Sequence, residues 1–248
     1  MKKSILIILL FISATILFAQ MTADEIVQKM DANERVQSSE SSGKQIITTS
    51  SGQKRTLSMK IYSANNNEKQ LTIYTAPSRV KGDKILMLNN GDDIWFYTPK
   101  TGRVRHLASH AKRRKVQGSD FTYEDMSTGD YGQDYTARLL GEEKMKGQNC
   151  FQLEMIPTES GPHYSKIIVW VDSERFVALQ IDYYDEDGEY LKRLDVSDIE
   201  QIEGKWIPKK MVMKNVQDGG ETIIETTEIQ LNVNLDDALF TTRNLKRK

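Results

Sequence analysis

The sequence predicts a mainly β fold: one large antiparallel sheet of about eleven strands that curls, with short helices plugging or capping its concave face. Two observations carry this. From Lys44 onward, apolar residues recur with period two. The alternating runs are separated by turn sequences such as "ESGP", "DEDG" and "QDGG". A third observation supplies the helices. The rhythm is broken near the N-terminus and again in the middle, where acids and aromatics stand at helical spacing.

In chain order, "MKKSILIILLFISATILFAQ" comes first. Two lysines precede an apolar run, and Ala19 is a small residue where cleavage is expected, the order of a secretory signal peptide. The run is short for a membrane span of roughly 20 apolar residues. The expectation is a signal peptide over 1–19 and a single domain over 20–248. No cysteine stands near the cleavage region, so lipid attachment there is not expected. Thr22 and Glu25 then have capping-box spacing, with Ile26, Val27 and Met30 on one stripe, which predicts an amphipathic helix. "VQSSESSG" reads as a loop.

Strands follow. "RTLSMKIY" puts Leu57, Met59 and Ile61 on one face, and "QLTIYT" repeats the alternation with Leu71 and Ile73. "KILMLNN", "DIWFYTP" and "RVRHLA" continue as hairpins. The pattern stops at Ser109 and resumes near Tyr135, running through "YTARLLGEEKM", "CFQLEMIP", "SKIIVWVD", "FVALQIDYYD", "YLKRLDVSDIEQIEG", "WIPKKMVMKNV" and "TIIETTEIQLNVN". "DDALF" reads as one closing helical turn. A large sheet with few helices leaves part of its apolar concave face uncovered, and such an area is a binding cavity.

Within the gap, "KRRK" (112–115) precedes "GSDFTYEDM" (118–126). Ser119 is read as a helix cap with Asp120 in the first turn, where a carboxylate suits the helix dipole. Phe121, Glu124 and Asp125 fall three or four apart, on one side. The insert is either a crossover that plugs the sheet or a mobile lid with charges at a cavity mouth.

A formal net charge of −1 gives no nucleic-acid footprint. Three histidines without a completing Cys or acid set predict no metal site, and no cofactor loop is recognisable. The "DYYDEDGEY" stretch lacks most of a calcium-loop pattern and reads as hairpin chemistry. No nucleophile, base and orienting acid can be named, so no catalytic residues and no enzyme are expected. The single cysteine, Cys150, reads as core.

The stretch "DIWFYTPKTGRVRHLASHAKRRKVQGSDFTYEDM", followed in order by "WVD", "YYDEDG", "GKWIP" and "LFTTRNL", resembles the outer-membrane lipoprotein-sorting protein family. The resemblance runs from Gln70 to Leu245 and departs at Val116-Gln117, where an aromatic is common. It implies a half-open antiparallel β-barrel of the LolA/LolB-like kind, closed by helices. The implied function is a periplasmic carrier that shields acyl chains of a lipoprotein or lipid on the way to the outer membrane. Implied partners are an inner-membrane export-pump protein and an outer-membrane acceptor. The alternative is a periplasmic sensor or accessory module of a membrane transporter built on the same barrel. On this reading Leu57, Met59, Ile61, Leu71, Ile73, Ile94, Phe96 and Phe121 are the candidate cavity positions. Alternation marks a buried face without marking a ligand, so each also reads as ordinary core. Phe121 is expected to point inward, with Asp120, Glu124 or Asp125 meeting cations of "KRRK" such as Arg113 or Arg114 at the mouth.

Overall fold

A computed structural model describes residues 21–127, 130–159 and 161–247. The expected signal peptide, including Ala19, lies outside the described residues. The N-terminal helix α1 (Ala23–Glu34) starts where its capping box was read. The Glu25 amide donates to Thr22 Oγ1 at 3.3 Å, and the Thr22 amide donates to Glu25 Oε2 at 2.8 Å. Ile26, Val27 and Met30 are buried against the sheet. The last turn of α1 carries no basic residue, so nothing on the helix itself offsets the negative end of its dipole.

Thirteen strands form one sheet: β1 (Ser38–Thr48), β2 (Lys54–Ala64), β3 (Lys69–Ala76), β4 (Lys84–Leu88), β5 (Asp93–Thr98), β6 (Arg103–His106), β7 (Tyr135–Met145), β8 (Gln148–Pro157), β9 (Lys166–Asp172), β10 (Ala178–Tyr184), β11 (Tyr190–Ile202), β12 (Lys205–Asn215) and β13 (Glu221–Leu231). The expected count of about eleven is low chiefly because the first half of β1 falls in the stretch that reads as a loop, 36–43, and its second half carries no strand of its own in the sequence pattern. Its sequence, "SSESSGKQIIT", is too polar to announce a strand. Its place in the ladder explains it: β1 pairs antiparallel with β2 on one side and β13 on the other, so both backbone edges are satisfied. A register shift falls between Ser42 and Gly43. A Cβ on Gly43 would stand 2.6 Å from the Glu225 carbonyl oxygen, so the bulge needs glycine.

The spatial order is β6-β5-β4-β3-β2-β1-β13-β12-β11-β10-β9-β8-β7. Two meanders, β1 to β6 and β7 to β13, therefore join at the β1–β13 seam. The sheet stays open: its edges are β6 and β7, which are consecutive in sequence. The insert between them carries the chain from one edge to the other. It contains short 3-10 turns at Ser109–Ala111 and Val116–Gly118, then helices α2 (Tyr123–Met126) and α3 (Tyr131–Asp134).

Apolar side chains fill both faces. The larger cluster joins α1, the insert and the inner face, with Leu57, Met59, Tyr74, Ile94, Phe121 and Ile181 among its buried members. A smaller one holds Leu71, Leu86, Phe240 and Leu245, with Ile73, Trp95 and Leu239 packed on it. Phe240 belongs to the predicted closing turn, a 3-10 helix at Asp237–Phe240. The C-terminal segment thus seals part of the outer face.

Candidate functional site

Side chains from β1 and β2 on one side round to β9 and β10 on the other line a single cavity, which only a curled sheet can achieve. Its volume is about 340 Å³, at the lower end of the roughly 300–1,000 Å³ typical of ligand pockets. Met59, Ile61, Ile181, Met211 and Met213 supply much of the wall, and Phe121 comes from the insert.

The insert is seated by specific contacts. Lys115 and Thr122 form a bridge that closes a tight loop, in which the Val116 amide donates to the Phe121 carbonyl at 2.8 Å. Gln117 and Gly118 adopt left-handed φ of 50° and 67°. The Arg55 guanidinium of β2 donates to both their carbonyls, at 2.6 and 2.9 Å. Phe121 is 4% exposed and faces inward, as expected. The Ser119 hydroxyl does not cap a helix: it donates to the Phe121 carbonyl at 3.2 Å. Thr122 is the cap instead, accepting the Asp125 amide at 3.1 Å while Asp125 Oδ2 accepts the Thr122 amide at 2.7 Å. The helix starts later than read because Gly118 and Ser119 are spent on the preceding turn.

Of the expected pairings between the acids of the insert and "KRRK", Lys115 with Asp120 forms at 3.3 Å, while Arg113 and Arg114 meet none of Asp120, Glu124 and Asp125. Asp120 is buried behind the loop, where Thr222 Oγ1 donates to it at 2.8 Å and Lys115 approaches to 3.3 Å. A Cβ on Gly220 would lie 2.5 Å from Asp120 Oδ1, so that glycine makes room for the carboxylate. Glu124 accepts from the backbone amide of His163 at 3.1 Å and pairs with its Nδ1 at 2.8 Å. Asp125 meets Lys192 of β11 at 2.5 Å, each side chain 2% exposed, and accepts the Tyr164 hydroxyl at 2.6 Å. Arg113 turns outward to Glu186 at 3.2 Å, and Arg114 is exposed. Long exposed cations gain little from crossing to a buried acid, whereas a buried carboxylate needs a partner that is already buried.

Lys192 is the residue that sequence reading passed over. Its ammonium also lies 5.3 and 5.2 Å from the ring centres of Tyr164 and Tyr183. Burial pushes both phenols well above their usual range, and the Asp125 carboxylate adds to it. The signal was present: in "YLKRLDV", Lys192 shares the strand face of Leu194 and Val196, which line the cavity.

Of the predicted cavity positions, Met59, Ile61 and Phe121 line the cavity, joined by Glu124 and Asp125 from the predicted mouth charges. Leu57, Ile94 and Phe96 share the inner core but stand away from the cavity wall. Leu71 and Ile73 do not face it at all. They pack on the outer face, and their neighbours Thr72 and Tyr74 are the buried inward residues of β3.

A second, polar cavity of about 310 Å³ adjoins the first, and Glu34 at the end of α1 lines both. Its other walls include Asp31, Arg35, Glu68, Asn90 and Asp130. Surrounding protein desolvates the Glu34 carboxyl and raises it to about 7, with Asp31 adding repulsion. Glu34 is an exposed residue and contributes to the lining of both cavities. Asp31 is raised to about 6 by burial and by sharing a hydrogen bond with Asp130. Burial works against ionising Asp130, but that shared bond and the Arg35 guanidinium hold it below its ordinary value. Asp31 also accepts the amides of Tyr131 and Gly132 at 3.0 and 3.1 Å, fastening α3 to α1.

Residues 66–247 match a protein family described as "Uncharacterized protein"-like. Among solved structures, a domain from Vibrio parahaemolyticus, described as an outer membrane lipoprotein-sorting protein domain, is 31% identical. That match covers 91% of this chain and 98% of the other, with a TM-score of 0.85. A LolA superfamily protein from Nitrosomonas europaea shares the fold at 22% identity and TM-score 0.76, covering 91% of this chain and all (100%) of that one. A protein of Methanocaldococcus jannaschii is 25% identical over 193 residues, or 73% of this chain and 51% of the relative. The chain thus spans about half the length of that curated relative.

Proposed function

Because the chain belongs to the outer-membrane lipoprotein-sorting protein family, we propose that it is a periplasmic carrier that shields acyl chains in the apolar cavity beneath the insert. The observation that supports this most is the cavity itself, walled by methionine and isoleucine side chains and bordered by Phe121. Methionine adapts its shape to irregular apolar partners. An acyl chain in water costs about 0.8 kcal/mol per exposed CH₂, so transport between membranes needs such a shield. The insert crosses the opening between the two free edges of the sheet, the position from which it governs entry and escape. The N-terminal apolar run supports export, with residues 20–248 as the mature unit after cleavage near Ala19. An inner-membrane export-pump donor and an outer-membrane acceptor belong to the same proposal.

The test is uptake of an environment-sensitive alkyl dye and its displacement by dodecanol, which is neutral and fits either polarity of mouth. Met59→Asp or Ile61→Asp is expected to abolish uptake in protein that still shows its β-sheet signal. Folded wild-type protein that takes up no alkyl probe would end the carrier reading. Intact mass of the protein secreted by its own host checks the cleavage.

A further inference from the structure

The two adjoining cavities differ sharply in character, and their charge is one-sided. Seven carboxylates line them: Glu124, Asp125 and Asp134 in the apolar chamber, Asp31, Glu68 and Asp130 in the polar one, and Glu34 in both. Arg35 is the single basic residue among the described lining residues, and Asp130 takes it. Lys192 and His163 answer Asp125 and Glu124. Glu34, Glu68 and Asp134 meet no ion-pair partner among the described residues. Glu34 is also the last residue of α1, at the negative end of the helix dipole, where Lys205 donates to the Ala32 carbonyl at 2.6 Å but no cation pairs with the Glu34 carboxylate itself. A carboxylate crowded by other carboxylates in a cavity is stabilised when a cation joins it. An anionic head would meet repulsion from Glu34, Glu68 and Asp134.

Resting on the carrier reading, we propose that the two cavities form one bipartite site for an amphiphile whose alkyl chain fills the apolar chamber and whose ammonium head sits beside Glu34 in the polar annex. The ammonium donates to Glu34 and is flanked by Glu68 and the amide side chain of Asn90. The charged and titratable groups facing Glu34 are Asp31 from its own helix, Arg35 at the helix C-cap, Asp130, Tyr131 and Asp134 from the α3 segment, Glu68 from the β2–β3 turn, and Tyr183 from β10. The ammonium can belong to a lipid head group or to a free amine on an acylated peptide. The recognition chemistry is the same for both.

The experiment compares three probes of one chain length, dodecylamine, dodecanol and dodecanoate, as displacers of the alkyl dye. Dodecylamine is expected to bind about tenfold tighter than dodecanol, the ratio of one charge-assisted hydrogen bond, and dodecanoate more weakly than either. The preference should grow from pH 5 to pH 8 as Glu34 ionises, because the amine stays protonated throughout. Glu34→Gln should bring amine and alcohol to parity and flatten that pH response while dodecanol binding is kept. Retained dodecanol binding also shows that the variant is folded. Glu68→Gln should lower the amine preference part of the way. Lysophosphatidylethanolamine and an acylated peptide with a free amine, tried as competitors, identify the source by which one displaces dodecylamine. Equal binding of amine and alcohol by the wild type, or an amine preference that survives in Glu34→Gln, overturns the bipartite site and leaves the carrier reading intact. Failure of dodecanol itself strikes the carrier reading instead.

Discussion

The two faces of the sheet bury similar side chains to different ends. On the outer face, Leu71, Leu86 and the C-terminal Phe240 and Leu245 make a sealed cluster, with Ile73 packed at its margin. On the inner face, apolar residues of β2 and of β9 to β13 enclose a cavity of about 340 Å³ that the insert covers only in part. Strand β3 serves both, with Leu71 and Ile73 facing out and Thr72 and Tyr74 facing in. What separates a core from a cavity is the covering element. A segment that ends on the sheet fills the space; a segment that must travel from edge to edge bridges it.

The sharpest way to break this comparison is at Lys192. Lys192→Ala leaves Asp125 buried and unpaired beneath the insert, and about 3–5 kcal/mol of stability is expected to go. The denaturant midpoint measures it. Lys192→Ala with Asp125→Asn should recover much of the loss, because no bare charge remains. Phe240→Ala, on the sealed face, should lower stability by about 3–5 kcal/mol with no change in dodecanol uptake per folded molecule. Altered uptake there would mean that the faces are coupled.

Phe121→Ala is the counterpart on the inner face. Its loss is expected nearer about 3 kcal/mol, since one side of the ring already borders a cavity and little new space is made. If the insert is a lid, ligand off-rate rises more than the stability change accounts for. If it is a plug, melting midpoint falls and exchange is unchanged. Both readings come from one sample.

A smaller effect comes with pH. Asp31 and Glu34 are raised in the folded protein, to about 6 and about 7. Between their unfolded values near 4 and these folded ones, the native state holds protons that the unfolded chain has lost. Their contribution is therefore fully present at low pH and is lost as pH rises through 6 and 7. Asp172, held low by Arg175 and backbone amides against its own burial, acts oppositely but only below about pH 4. The melting temperature should fall from pH 5 to pH 8, and less so in Glu34→Gln. Arg113→Ala should cost the least, about 0–1 kcal/mol, as its contact with Glu186 is exposed.

Much of this was legible in the residues. Twelve of the thirteen strands announce themselves by alternation and turn chemistry. The capping box of α1 and the closing turn at Phe240 are local signals that need no partner, and they formed where read. β1 was hidden because a central strand with both edges paired can be polar and still hold. The start of α2 was misplaced because two serine or threonine caps compete in "GSDFT", and the left-handed turn at Gln117 decides between them.

By itself the sequence determined the periods, the turns and the break in the middle, all of which are properties of neighbours along the chain. Only the tertiary structure decided which apolar face encloses a cavity, that Lys192 and not "KRRK" answers Asp125, and that Glu34 stands where an apolar and a polar chamber meet. Those outcomes depend on strands β1 and β13 meeting at the seam and on the insert spanning the two edges. Pairings between residues far apart in sequence follow from how the sheet curls and what covers it, and neither is written in any single strand.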